Sequence, residues 1–367
     1  MDSPRRLPRS TVLTSVRDHP LTQQELDNQS DLSSALSDPD TYSDLVRATE
    51  RILQQYDSTS SLDDDTCQIL LVFQSKLRKR GASALMTDIK TIGKDKAKLA
   101  SFARYLRDTI LKPMKLAGAV KSALGTDGES PNAEAVGFIS DFAANAQSSN
   151  RNRQPTLKDE ILKRDGFRCA FSRVYDRNSA ESDLVEVQRG ASCAHTHLAH
   201  ILPIGLRTFD SNSQRESVAV GSIWYALYRY FPELKDKIGP DTLNQHKNLI
   251  TFAIDVHLEF DRHRLAFLPR QGRPHTYAVK QLNKFPLPAP PGHEDVMTLV
   301  SSNDAFPLPD PDYLWVHYQI TQILAVSGIG AKIEAEIKAS QEDPTTPNPD
   351  GSTDLGAIVC RKMLIDI

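Results

Sequence analysis

Apolar residues recur at three- and four-residue intervals through residues 41–125, which is the spacing of amphipathic helices. The pattern predicts one helix from Tyr42 that ends before the acidic stretch SSLDDD. A second is predicted through CQILLVFQSKLRKRG and ends at Gly81, because glycine commonly stops a helix. Two more are predicted at about 84–93 and 96–124. We therefore predict a small all-α domain for residues 41–125.

Residues 155–340 carry a mixed pattern of short apolar runs and longer helical periods. Strands are predicted in FRCAFS, DLVEVQ and THLAHILP, and a hairpin in RLAFLP with TYAVKQL. Helices are predicted in TLKDEILKRDG, where Thr156 is placed to cap and Gly166 to stop, and in SIWYALYRYFPELKDKI, DYLWVHYQITQILAVSG and AKIEAEIKAS. The segment KNLITFAIDVHLEFDRHR begins extended and turns helical. The buried side of the helix in SIWYALYRYFPELKDKI is predicted to hold Ile223, Trp224, Leu227, Tyr230, Phe231 and Leu234. The fold class predicted for the chain is α+β.

Three segments lack periodicity and are rich in small and polar residues. We predict a disordered N-terminal tail at 1–40 and a linker with one short helix at 126–154. Residues 341–367 are predicted to be a mostly disordered C-terminal tail.

The composition is that of an ordinary globular protein, with 39% hydrophobic and 25% charged residues in 367. No apolar run approaches the length of a membrane span, and the first residues lack the apolar stretch of a signal peptide. The four cysteines form no C-x-x-C pair, which is typical of a reducing compartment. We expect an intracellular protein, with cytoplasm and nucleus both open.

The net charge of −3 conceals a basic region at residues 66–126, which holds 13 lysines and arginines against 3 acidic residues. The favoured interpretation is that these side chains form the solvated faces of amphipathic helices. The alternative is a nucleic-acid-binding surface.

Candidate chemistry begins in CAHTHLAHILP, where His195, His197 and His200 occupy six positions. Downstream, His257 precedes Asp261 by four residues, which places both on one face of a helix about a turn apart. An imidazole and a carboxylate so placed can bind one divalent cation.

The order of His200 in LAHILP, then Asn248, His257 and Asp261 in NQHKNLITFAIDVHLEFD, resembles the HNH endonuclease family. The first motif is similar to that of its fungal and bacterial branch, which reads Ala-His-Ile-x-Pro. The upstream LKRDGFRCAFS also looks like this family. The resemblance covers residues 155–270 and extends more loosely to about 340. It implies a ββα-metal core, made of two antiparallel strands and a helix, within an HNH nuclease-like domain at 155–340.

The resemblance also implies a role for each matching residue. His200 would be the general base and Asn248 would tie down the loop between the strands, so these two form the catalytic set. His257 and Asp261 would hold a divalent ion, with Mg²⁺ or Mn²⁺ expected and Zn²⁺ or Ni²⁺ possible as substitutes. The substrate would be the phosphodiester backbone of DNA or RNA.

Two positions depart from the family pattern. Many HNH enzymes have a metal ligand directly before the base, where this chain has Ala199. Either two protein ligands suffice with water and phosphate, or another group substitutes, and His197 is the nearest candidate because it points the same way along a strand. Zinc-stapled relatives have a second cysteine where this chain has Ser172, so we expect Cys169 to be a core residue.

Two functions follow from this pattern. The favoured one is a metal-dependent HNH endonuclease that hydrolyses nucleic-acid phosphodiester bonds. The alternative is a catalytically weak or inactive HNH-fold module that binds nucleic acid or a protein partner, which is suggested by Ala199 and by the modest charge of residues 151–270. We expect His195, His246, His263 and His275 to be structural or solvent-facing.

Overall fold

Short strands and helices alternate along the chain in the computed structural model, which describes residues 19–27, 39–57, 64–115, 154–203, 206, 214–284, 286–290 and 295–342. The predicted linker helix, and most of the two predicted tails, lie outside these residues. The helices are α1 (Gln23–Asp27), α2 (Pro39–Asp57), α3 (Thr66–Lys76), α4 (Lys79–Ile92), α5 (Lys96–Leu106), α6 (Gln154–Arg164), α7 (Arg177–Glu181), α8 (Gln214–Tyr230), α9 (Ile254–Asp261), α10 (Pro311–Val326) and α11 (Ile329–Glu342). The strands are β1 (Tyr175–Asp176), β2 (Cys193–Ala194), β3 (Thr196–His200), β4 (Leu249–Ala253), β5 (Leu265–Pro269), β6 (Thr276–Gln281) and β7 (Val296–Thr298).

The first helices differ from the sequence prediction at Gly81. The chain breaks earlier, at Leu77 and Arg78, which are both extended, and α4 then begins at Lys79. Gly81 therefore lies inside α4 and stops nothing. Its role is close packing, because a Cβ atom at this position would lie only 2.0 Å from the carbonyl oxygen of Tyr230 in α8. After α5 the helix continues through a π-helical turn, Arg107–Leu111, and stays helical to residue 115.

Residues 19–27 fall within the stretch predicted to be disordered, but they pack against the helices. Leu21 and Leu26 are buried, and so is His19. The His19 ring lies against Phe102 and Tyr105 of α5. The segment is short and buries only two leucines, which are too few to give a periodic apolar pattern in the sequence.

The sheets are small and mostly antiparallel. β3 pairs with β4 in a register that places His200 opposite Leu249 and His197 opposite Phe252. β5, β6 and β7 form a second antiparallel sheet, which includes the predicted hairpin. β1 and β2 form a short parallel pair. The observed mixture of helices and small sheets is an α+β fold.

Two of the three strands predicted between residues 167 and 203 are wrong. FRCAFS forms a turn, with only an isolated bridge from Arg168 to Tyr175. Phe167 at its start and Arg173 directly after it have positive φ, 55° and 61°, a conformation that no regular strand contains. DLVEVQ follows α7 as a turn, a bend and then irregular chain. The predicted strand at THLAHILP is present as β3.

One apolar cluster extends from the N-terminal helices into the region that carries the sheets. All six residues predicted for the inner side of the α8 segment are buried. Between the two regions, the guanidinium of Arg229 in α8 donates to the carboxylate of Asp88 in α4, and the hydroxyl of Tyr230 donates to the same carboxylate at 2.9 Å. The helices predicted to form a domain of their own thus pack directly on α8.

Among the described helices, none has the combination of length and apolar sequence required to cross a membrane.

Candidate functional site

Asn248 holds the connection that follows β3. Its side-chain oxygen accepts from the backbone N–H of Leu202 at 2.8 Å. Its amide nitrogen donates to the carbonyl oxygens of Leu202 and Leu243, both at 2.9 Å. The residue is fully buried, and it directly precedes β4. One side chain thus fastens the turn after His200 to the loop before β4.

His200 is the last residue of β3, and its side chain points toward that same loop. Its Nε2 atom lies 2.8 Å from the side-chain oxygen of Asn244. His200 is 8% exposed, so its imidazole is near the surface but largely shielded from water. Asn244 is four residues before Asn248, and the two amides hold the imidazole and the adjoining turn from one loop.

His197, His257 and Asp261 form a row between β3 and α9. The Nδ1 atoms of His197 and His257 are 3.4 Å apart, and the two rings meet edge to face. On the other side of its ring, His257 places Nε2 at 3.1 Å from a carboxylate oxygen of Asp261. The i, i+4 spacing on α9 brings the last two together, and the β3–β4 pairing brings His197 to them.

The donor atoms of His257 and Asp261 are spaced as two ligands of one divalent ion. Two ligands that bind an ion at about 2.1 Å and at right angles lie about 3 Å apart. The separation of 3.1 Å between Nε2 and the carboxylate oxygen matches this value. A mixed imidazole and carboxylate pair also suits Mg²⁺, Mn²⁺ or Zn²⁺. The His257 and Asp261 side chains therefore fit the donor set of a divalent ion.

His197 relates to this pair through the opposite nitrogen of His257. An ion held by Nε2 of His257 cannot also be bound by its Nδ1, the atom that faces His197. Metal-bound histidines commonly donate their second N–H to a neighbour that fixes the ring. Within the described part of the chain, no group of three or more His, Cys, Asp or Glu side chains is arranged to hold a metal ion. The nitrogen of His257 that faces His197 is thus not the one that faces Asp261, and His197 as a third ligand stays a prediction.

Ala199 lies on the same side of β3 as His197 and is completely buried. Strand alternation places His200 on the other side, because it is three residues from His197. His200 is also the last residue of the strand, where the chain turns into the segment that Asn248 fastens. The direction of the His200 imidazole is therefore set by the Asn248 loop as much as by the strand.

Arg164 supports this region from the end of α6. Its guanidinium is fully buried and uses all five of its donors. Two go to the adjacent carboxylate of Asp165, and the others go to the carbonyl oxygens of His246, Leu249 and Pro307. Asp165 in turn accepts from the backbone N–H of Thr251 at 2.9 Å. This ion pair ties α6 to both ends of the segment that carries Asn248.

Asp176 fixes the other end of β3. Its carboxylate accepts from the hydroxyl of Thr196 at 2.6 Å and from the backbone N–H and hydroxyl of Ser179. Burial alone would raise the pKa of Asp176, but the hydrogen bonds from Thr196 and Ser179 hold it below the usual value. The first residue of β3 is thus anchored by an ionised carboxylate.

Four other histidines of the described residues make structural contacts or lie at the surface. His317 stacks on Phe260 and on His263, and burial lowers the pKa of His317 to about 4 and that of His263 well below its usual value. Both are therefore neutral core groups behind α9. His246 pairs with Glu160 at 2.8 Å, and His195 is exposed.

Part of the basic region at 66–126 is used in ion pairs within the chain. At least five of its lysines and arginines pair with acidic side chains, several of them on α10 and α11. The pairs include Lys98–Glu25, Arg78–Asp312, Arg107–Glu336, Lys112–Asp108 and Lys115–Glu334. Lys112 and Lys115 are buried. This pattern differs from a fully solvated face, and it lowers the charge available to a polyanion.

Three residues of the site were missed by sequence reasoning, namely Arg164, Asp165 and Asn244. Adjacent Arg and Asp at the end of a helix normally indicate a solvated terminus, and only tertiary contacts reveal that these two are buried. Asn244 lies in a polar loop without periodicity. Cys169 is buried as predicted, and its sulfur accepts from the backbone N–H of Ser172.

Comparison with known proteins gives one family match. Residues 169–268 match the family described as HNH endonuclease, and this range contains β3, β4 and α9. The search of curated proteins and the search of solved structures both found no match.

Proposed function

We propose that the HNH endonuclease match reflects activity and that the chain is a metal-dependent nuclease. The observation that carries the proposal is that the matched range contains His200 on β3, Asn248 directly before β4, and His257 and Asp261 on α9. We also propose that β3, β4 and α9 form a ββα-metal core. In this proposal, LAHILP is the first motif of the branch that reads Ala-His-Ile-x-Pro.

His257 and Asp261 would hold the ion through Nε2 and a carboxylate oxygen, whose separation suits two ligands of one ion. A bound divalent ion supplies positive charge to the phosphate and to the oxygen that leaves. His197 would accept a hydrogen bond from Nδ1 of His257 and so keep the ring in the orientation that directs Nε2 toward Asp261.

His200 would act as the general base. A neutral imidazole accepts the proton of a water molecule as the water oxygen bonds to phosphorus and a phosphorus–oxygen bond of the backbone breaks. The leaving oxygen would gain its proton from solvent. Asn248 would keep the chain after His200 in place through its three hydrogen bonds, which makes it a positioning residue.

A second function is supported by a specific observation, the buried Ala199 in place of a ligand. With only two protein ligands, an HNH-fold module that binds nucleic acid or a protein without cleaving it is a coherent alternative. The internal ion pairs of the basic helices weaken the version in which those helices grip nucleic acid.

A cleavage assay with matched histidine variants tests the proposal. Supercoiled plasmid and single-stranded RNA would be incubated with the full chain and Mg²⁺ or Mn²⁺, with chelator as the negative control. We expect His200→Ala to lose at least about 100-fold in rate while it keeps its affinity for Mn²⁺ by calorimetry, because it removes the base alone. His257→Ala should lose both cleavage and Mn²⁺ binding.

His195→Ala is the matched control, because His195 is an exposed member of the same histidine cluster. It should cleave at the wild-type rate. Wild-type protein that binds Mn²⁺ but cleaves neither substrate would support the binding module. Equal cleavage by wild type and His200→Ala would rule out His200 as the base.

A further inference from the structure

The hydrogen bond between His200 and Asn244 specifies which nitrogen of the imidazole carries the proton. The partner of Nε2 is the side-chain oxygen of Asn244, at 2.8 Å. An amide oxygen has no hydrogen to donate, so Nε2 must be the donor. A neutral imidazole has one N–H, and its lone pair is then on Nδ1.

The nitrogen of the Asn244 amide does not share in this contact. Its Nδ2 atom is buried and has no hydrogen-bond partner among the described residues. A buried donor left without an acceptor costs roughly 1–3 kcal/mol, and native structures contain few of them. The reversed amide would place Nδ2 against His200 and make Nε2 the acceptor, which requires the opposite tautomer. The two orientations thus differ in an observable property of His200.

We propose that Asn244 is a positioning residue that holds His200 in the Nε2-protonated tautomer and thereby makes Nδ1 the proton acceptor. The inference rests on the proposed role of His200 as the base. A base needs a fixed ring direction and a fixed tautomer, which a neighbour on the second nitrogen provides. Asn244 would then orient the imidazole of His200, and Asn248 would hold the backbone that follows it.

The tautomer can be measured without any nuclease activity. Histidine ¹⁵N and ¹³C shifts of the full chain, assigned to His200 by its loss in His200→Ala, distinguish Nε2–H from Nδ1–H. We expect Nε2–H in the wild type and in Asn244→Asp, which keeps an acceptor oxygen. Asn244→Leu removes the acceptor and should give a mixture of tautomers. An Nδ1–H tautomer in the wild type, or an unchanged tautomer in Asn244→Leu, would overturn the proposal.

Kinetics separate positioning from a general structural role. Asn244→Leu should lose about 10–100-fold in kcat with little change in KM, because the loss of a supporting partner reduces the population of competent base. Asn244→Asp should recover most of the rate and shift the pH–rate profile to higher pH, because a carboxylate favours the imidazolium. A profile unchanged in Asn244→Asp, or no loss of kcat in Asn244→Leu, would contradict the proposal.

Gln245→Ala is the matched control in the same loop. Its amide bonds to Tyr313 and to the carbonyl of Lys237, so its removal disturbs the loop without taking the acceptor from Nε2. It should leave the His200 tautomer and kcat unchanged, and a loss equal to that of Asn244→Leu would assign the effect to the loop as a whole. If the wild type does not cleave, the proposed function fails while the tautomer measurement still decides the role of Asn244.

Discussion

Replacing Arg164 with methionine should strongly destabilise the chain, because Arg164 is the buried group on which the segment around Asn248 rests. Methionine has a similar reach but no donors, so all five hydrogen bonds of the guanidinium disappear. The carboxylate of Asp165 would remain at 5% exposure without its ion-pair partner. Breaking a buried ion pair by removing one partner costs about 3–5 kcal/mol, and we expect a loss of this size in the free energy of unfolding.

Urea denaturation followed by circular dichroism measures the loss, and a second variant separates charge from shape. In Arg164→Met with Asp165→Asn, the stranded charge is absent, so the double variant should recover part of the loss. The three carbonyl oxygens would still lack their donor, which keeps it below wild type.

Arg177→Met is the matched control, because Arg177 pairs with Glu181 at 3.8 Å on the surface of α7. The side chains are 48% and 66% exposed, and we expect a change within about 0.5 kcal/mol. A loss below about 1 kcal/mol in Arg164→Met would refute the account of Arg164 as a buried support.

Two further predictions concern the contact between the N-terminal helices and α8. Gly81→Ala should lower the free energy of unfolding by about 2 kcal/mol, because the clash of the new Cβ at 2.0 Å from the Tyr230 carbonyl oxygen outweighs the gain of helix propensity. A variant as stable as the wild type in urea denaturation would contradict this. Arg80→Ala, on the exposed side of α4, is its control. Burial lowers the pKa of His19 to about 4 despite the opposing charge of Asp88. Below about pH 6.5 the unfolded chain therefore binds a proton at His19 that the folded chain does not, and about 3 kcal/mol of the free energy of unfolding should be lost as the pH falls to 4. The stability difference between wild type and His19→Leu, measured in urea at pH 7.5 and 4.5, should change with pH, and a constant difference would argue against a buried neutral imidazole.

Periodicity predicted those elements whose burial follows a regular spacing. The inner side of the α8 segment, from Ile223 to Leu234, was predicted residue by residue, since a helix on a core repeats its apolar positions. The strand predicted at FRCAFS was wrong because its buried residues, Cys169, Ala170 and Phe171, lie in a turn. The positive φ of Phe167 and Arg173 leaves no trace in an apolar pattern. The predicted helix end at Gly81 was wrong for a related reason, because glycine occurs both at helix ends and at close helix contacts.

In the candidate site too, local spacing identified some residues and could not identify others. His257 and Asp261 could be paired from their spacing on one helix, and His197 could be directed to the same side as Ala199 from the alternation of a strand. Asn244 and Arg164 could not be found so, because their partners are 44 residues away for Asn244 and up to 143 residues away for Arg164. Contacts at that separation depend on how the elements pack, which no local pattern encodes.

The long connection between β3 and β4 has a consequence for how the chain folds. Residues 201–248 separate the two paired strands, and α8, within that connection, packs on α4 through Gly81 and Asp88. Closing so long a loop carries a substantial entropic cost, and the docking of α8 offsets part of it. We therefore expect the N-terminal helices to act as an intramolecular template, so that the strand pair and α9 assemble in one cooperative transition with them. A fragment cut to residues 169–268 would lack that template.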